Sequence, residues 1–91
     1  MRQELIEIYS DTTNNAIMRH PDRKFPGLLI QGDTLHAICR SLDETCSQTR
    51  GKIDDEVYSS LNELRNGFWD RLKHYRNTLE LHGIELPFNS D

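Results

Sequence analysis

The sequence predicts an α+β fold: a small antiparallel sheet of two or three strands, followed by an antiparallel helical hairpin with one long C-terminal helix. Three observations predict it. Up to residue 31, short β-branched or aromatic runs alternate with turn-forming clusters. From Asp33 onward, apolar residues recur at spacings of three and four. The last run of these, from Val57 to Leu79, holds one apolar stripe for about six helical turns.

The first expected strand is "ELIEIY", residues 4–9, closed by the turn cluster "SDTTNN". Ile6 and Ile8 alternate with Leu5, Glu7 and Tyr9, a mixed pattern that predicts a sheet partly covered on both faces. "AIMRH", residues 16–20, is a second extended segment, stopped by Pro21, which has no N–H for a ladder bond. "GLLIQ", residues 27–31, is a third, entered through Phe25-Pro26-Gly27.

The first helix is expected over 33–50. Leu35, Ile38, Cys39, Leu42 and Cys46 form its apolar stripe, Asp33 stands where an N-cap belongs, and Gly51 ends it. The long helix is expected over 54–82, with Val57, Leu61, Leu64, Phe68, Leu72, Tyr75 and Leu79 on one face. Asp54, Asp55 and Glu56 place negative charge at its N-terminus, and His82-Gly83 supplies a stop from which Ile84 folds back into the tail, 83–91. The connection "RGKI", residues 50–53, is so short that the two helices must be antiparallel neighbours. A helix of that length exceeds its partner by many ångströms, so its far part must pack on the sheet, on the tail or on another chain. Gly67 within the stripe reads as a place for a close crossing or a bend.

A chain of 91 residues is expected to form one domain with a small core. Its composition, 35% hydrophobic and 29% charged, belongs to folded water-soluble proteins rather than disordered ones. The N-terminus has no apolar run of signal-peptide length, and no window approaches a membrane span, so the reading is a cytoplasmic protein that does not enter the membrane. Cys39 and Cys46 are seven apart on one helix, about 10 Å, too far for a disulfide. Reduced thiols fit that compartment.

Net charge is −4, and the whole excess lies late in the chain. Residues 1–53 hold seven Lys/Arg and seven Asp/Glu, against four and eight in residues 54–91. The one basic knuckle is "RHPDRK", residues 19–24. An acidic chain with a single small basic loop makes a poor nucleic-acid binder, because that affinity needs many phosphate contacts. A basic protein partner suits it better.

Spacing decides among the candidate sites. His36, Cys39 and Cys46 lie near one stripe but lack the paired motif and fourth ligand of a structural zinc, so no metal is expected. Nothing has the spacing of an activated nucleophile, and Cys39 with His36 on one helix face leaves little room for substrate. The expectation is therefore no catalytic residue, no cofactor and no enzyme. Arg19, His20, Arg23 and Lys24 could grip an anion or nucleotide, although the prolines and glycines around them all have backbone roles and no phosphate-loop spacing is present. On the long helix, Tyr58, Trp69 and Arg76 are residue types enriched in binding hot spots, and Glu63, Asp70 and Glu80 supply acidic charge. These six are the expected partner-binding residues; the competing reading of Trp69 is that it closes the chain's own core.

"NNAIMRHPDRKFPGLLIQGDTLHAI", residues 14–38, resembles the core of a family of small uncharacterised bacterial proteins. Asn-Asn-Ala, Arg-x-Pro, Arg-x-Phe-Pro-Gly and Gln-Gly-Asp recur there in this order, and "HGIELPF", residues 82–88, is similar to that family's closing segment. Small proteins of this kind often sit beside bacterial toxin genes as immunity proteins. The resemblance implies a protein that covers the active or substrate-binding surface of a basic toxin domain. Pairing of the long helix with its copy, giving a homodimer, is the alternative.

Overall fold

The computed structural model describes residues 1–89. Positions 90 and 91 of the expected tail lie outside them. The element order is β1 (Glu7–Ser10), β2 (Ile17–Arg19), β3 (Gly27–Leu28), α1 (Gly32–Thr49) and α2 (Asp55–Leu81). The fold is α+β, a three-stranded antiparallel sheet followed by two neighbouring helices, and the chain divides into two compact units, Met1–Gln31 and Gly32–Asp91.

The strands lie in the order β1-β2-β3, with Glu7 opposite Arg19, Ile8 opposite Met18 and Ile17 opposite Leu28. All three are shorter than their sequence patterns. β1 starts at Glu7 rather than Glu4, leaving Leu5 almost fully exposed. Its register slips between Ile8 and Ser10, an irregularity that displaces Tyr9 from the ladder. Glu7 and Arg19 form an ion pair across the strands, which raises the guanidinium's pKa through their hydrogen bond and charge attraction. The cover expected on both faces is slight: Met18 and Arg19, on opposite faces, are half-buried, no residue of positions 1–31 is buried, and Ile8 remains 59% exposed. Alternation fixes which side chains share a face, whereas cover needs a second layer.

The second unit is a helical hairpin whose ends are set locally. Asp54 caps α2 by accepting from the N–H of Glu56 at 2.9 Å. At the other end Gly83, at φ +67°, stands in the left-handed region. The N–H of Gly83 donates to the carbonyl of Glu80, and that of Ile84 to the carbonyl of Leu79, at 3.2 and 2.9 Å. These two bonds make a Schellman motif, so the stop read from His82-Gly83-Ile84 is real. Gly51, at φ +75°, turns the chain between the helices. A side chain in either glycine would strain the backbone.

α1 begins one residue early. Gly32 is helical, so Asp33 sits in the first turn instead of capping it, and its carboxylate accepts from the adjacent Thr34 N–H at 2.8 Å. Gly32 is a packing glycine, since a Cβ there would collide with the ring of Tyr75. Gly67 is the reverse case. α2 runs unbroken through it, and an added Cβ would meet only the flexible end of Arg71, so no close crossing requires a glycine there.

The core is small: Leu35, Cys39 and Cys46 from α1 and Leu72 from α2 are its buried apolar side chains, among the described residues. At 1.5 Å per residue α1 spans about 27 Å and α2 about 40 Å. Part of the difference is met by the tail, where Phe88 stacks on His36 at 4.4 Å between ring centres and lies 6.4 Å from Tyr75.

Candidate functional site

Two surfaces have the chemistry of a site, one in each unit. In the hairpin, Asp43 of α1 projects towards α2 and is held there twice. Its Oδ1 accepts from the indole Nε1–H of Trp69 at 2.8 Å and from the guanidinium of Arg65. The three are partly buried, which strengthens a charge-assisted bond over its value in water. Asp43 and Trp69 also line a shallow cleft with Arg40, Ser41 and Glu44.

Successive residues turn by about 100° on a helix. Ile38, Leu42 and Thr45 therefore lie on the opposite flank of α1 from Asp43, where they form a shallow groove with Thr34, Ala37 and Ser41. On α2 the same rotation puts Val57 and Leu64 on the flank away from Trp69. They are 57% and 53% exposed, although both belong to the apolar stripe. One flank of the hairpin is thus a polar cleft around Trp69, and the other is apolar and open.

The six residues expected to bind a partner occupy different parts of this unit. Glu63, Asp70 and Glu80 are exposed, and Tyr58, Trp69 and Arg76 are half-buried. Glu63 and Asp70 are seven apart and share the outer face of α2. Trp69 is tied to Asp43 from within, so it braces the hairpin while leaving one side of its ring in the cleft. Asp43 and Arg65 were not singled out from the sequence. No local signal joins residues 26 positions apart to Trp69.

The thiols are structural. Cys39 is 0% exposed, and burial, followed by the nearby Asp43 carboxylate, pushes its pKa up. That favours the protonated thiol, the opposite of what a nucleophile or metal ligand needs. Cys46 is also buried and unpaired to Cys39. His36 lies flat on Phe88. Among the described residues, no three His, Cys, Asp or Glu side chains converge as a metal site would require.

In the sheet unit, a groove of about 510 Å³ has an apolar floor of Ile6, Met18, Phe25, Leu28 and Leu29. His20, Arg23 and Lys24 line its rim, and no carboxylate does. The rim is a turn: the N–H of Arg23 donates to the His20 carbonyl at 3.0 Å, and the N–H of Asp22 donates to His20 Nδ1 at 3.2 Å. Of the four basic-loop residues, Arg19 is engaged by Glu7 on the other sheet face. The groove therefore brings together three of the four.

A three-stranded sheet joined to a two-helix hairpin, with open apolar surface in both units, defines a small α+β protein. The chain belongs to DUF6959, a family of unknown function, whose model matches residues 1–88. No curated protein and no solved structure matches it. No helix among the described residues is long and apolar enough to cross a membrane.

Proposed function

We propose that this chain is a protein-binding module rather than an enzyme, and within that class a bacterial immunity protein. It would act in the cytoplasm and neutralise a cognate toxin by covering its active or substrate-binding surface. One observation carries the reading: α2 leaves Val57 and Leu64 of its own apolar stripe more than half exposed, on a helix whose outer face carries the exposed carboxylates of Glu63 and Asp70. Exposed apolar side chains in register along a helix are what a protein interface covers. The acids on the outer face select a basic partner and speed its approach. The protonated, enclosed Cys39 supports the non-enzymatic half of the reading. The resemblance of residues 14–38 to small bacterial proteins supports the immunity half.

Co-expression with the product of the neighbouring reading frame is the test. A complex that survives purification, and rescue of cells expressing that product, are the expected results. Reversal of Glu63 and Asp70 to lysine should then slow association about tenfold. Absence of both complex and rescue removes the immunity reading.

A further inference from the structure

The sheet unit carries a second surface, basic at its rim. Its groove combines an apolar floor, two rim cations and an open strand edge. Neither Arg23 nor Lys24 has a carboxylate partner among the described residues; Lys24 rests over the Phe25 ring at 5.4 Å. β3 is an edge strand, and Gly27, Leu28 and Leu29 line the groove along it. The N–H of Leu29 donates to the carbonyl of Ala16 at 2.8 Å. In an antiparallel ladder bonded and non-bonded pairs alternate. Leu28, opposite Ile17, is therefore a non-bonded position, and its own N–H and C=O point away from β2 to the open edge.

We propose that this edge and groove receive an extended acidic segment of a partner protein, added to β3 as a fourth strand. The segment bonds to the outward amide and carbonyl of Leu28, sets alternate apolar side chains towards Phe25 and Leu29, and brings a carboxylate to Arg23 and Lys24. Strand addition of this type takes affinity from the main chain and specificity from alternate side chains. A fatty acid would satisfy the floor and the cations but leave the strand edge unused. The edge is the reason to assign a peptide. The inference rests on the protein-binding reading, but not on a toxin or on α2.

Panning of the full chain against a display library of random nine-residue peptides tests it. The expected yield is peptides in which apolar residues alternate and Asp or Glu is enriched. Two variants then read the mode. Arg23→Glu with Lys24→Glu, both in an exposed loop, should weaken the selected peptides about tenfold. Leu28→Pro removes an N–H that β2 does not use, so the sheet persists by circular dichroism while peptide binding is lost. Should Leu28→Pro disturb the fold, the double charge reversal decides alone. Enrichment of basic or charge-indifferent peptides, no enrichment at all, or equal binding to the double variant overturns the proposal. If a complex with the neighbouring gene product forms while no acidic, alternating peptide is selected, strand addition fails and the immunity reading stands. Peptide binding without such a complex gives the reverse.

Discussion

The hairpin and the sheet are built from the same chain to very different degrees of completion. α1 and α2 enclose four apolar side chains, close one helix end with an aspartate cap and another with a Schellman glycine, and are bridged by Asp43. The sheet has strands of four, three and two residues and encloses no side chain. Beyond the turns it is held by its ladder bonds and by exposed contacts such as the Glu7–Arg19 pair, and an exposed ion pair contributes little. A helix satisfies its backbone within itself, whereas a strand depends on neighbours on each side and a layer on its face. The hairpin can therefore stand on local bonds and a narrow core, while the sheet keeps apolar surface for something else to cover. In this family member the incomplete region is also the one whose groove has unpaired cations.

That contrast can be broken most directly by truncating one apolar residue in each unit. Leu72→Ala removes a side chain only 3% exposed and should cost about 2 to 5 kcal/mol in denaturant unfolding. Ile8→Ala, at a more than half-exposed position, should cost under about 1 kcal/mol. Comparable losses would show that the sheet encloses as much as the hairpin and would end the distinction. A cognate partner on the sheet should raise the apparent cost of Ile8→Ala in the complex, and urea titrations with and without it would register this.

A smaller effect isolates the polar bridge. Asp43→Ala leaves Trp69 Nε1–H and the Arg65 guanidinium without their shared acceptor. Because both members of the ion pair are about a third exposed, the loss should be about 1 to 2 kcal/mol, below the value of a fully buried pair. Trp69 is the chain's single tryptophan, so its emission should shift on the same substitution. An unchanged spectrum would place the indole outside the hairpin's bracing.

The smallest effect is a pH dependence. The Cys39 thiol has a folded-state pKa above its ordinary value of 9.0, so the native state holds its proton more tightly than the unfolded chain does. Its contribution is fully present below pH 9.0 and is lost as pH rises through the folded value. Stability should thus be level with respect to this group near neutrality and decline in the alkaline range. Cys39→Ser, compared by thermal melts across that range, should flatten the decline. A slope that survives the substitution belongs to another group.

Much of the hairpin was legible in the sequence because its determinants are close together. Spacings of three and four marked both helices, Gly51 and His82-Gly83 marked their ends, and a four-residue connection forced them side by side. The strands were located but drawn too long. Alternation in Leu5 and Ile6 continues past the last residue that has a partner across the ladder. The roles of Gly32 and Gly67 were not legible: a glycine's role depends on what approaches it, and Tyr75 approaches one while only Arg71 approaches the other. Of the candidate sites, the basic rim was visible as a local cluster. The groove beside it was not, because Ile6, Met18 and Leu29 meet only after the strands pair.

By itself, the order of residues determined the class of fold, the lengths of the helices and where they stop, since these depend on hydrogen bonds and side-chain periodicity within a few positions. Only the tertiary structure decided which glycine admits a ring, which carboxylate holds Trp69, and which apolar residues stay open. Those outcomes depend on contacts between residues far apart in the chain, and the free energy of such contacts is settled by packing geometry that no local pattern encodes.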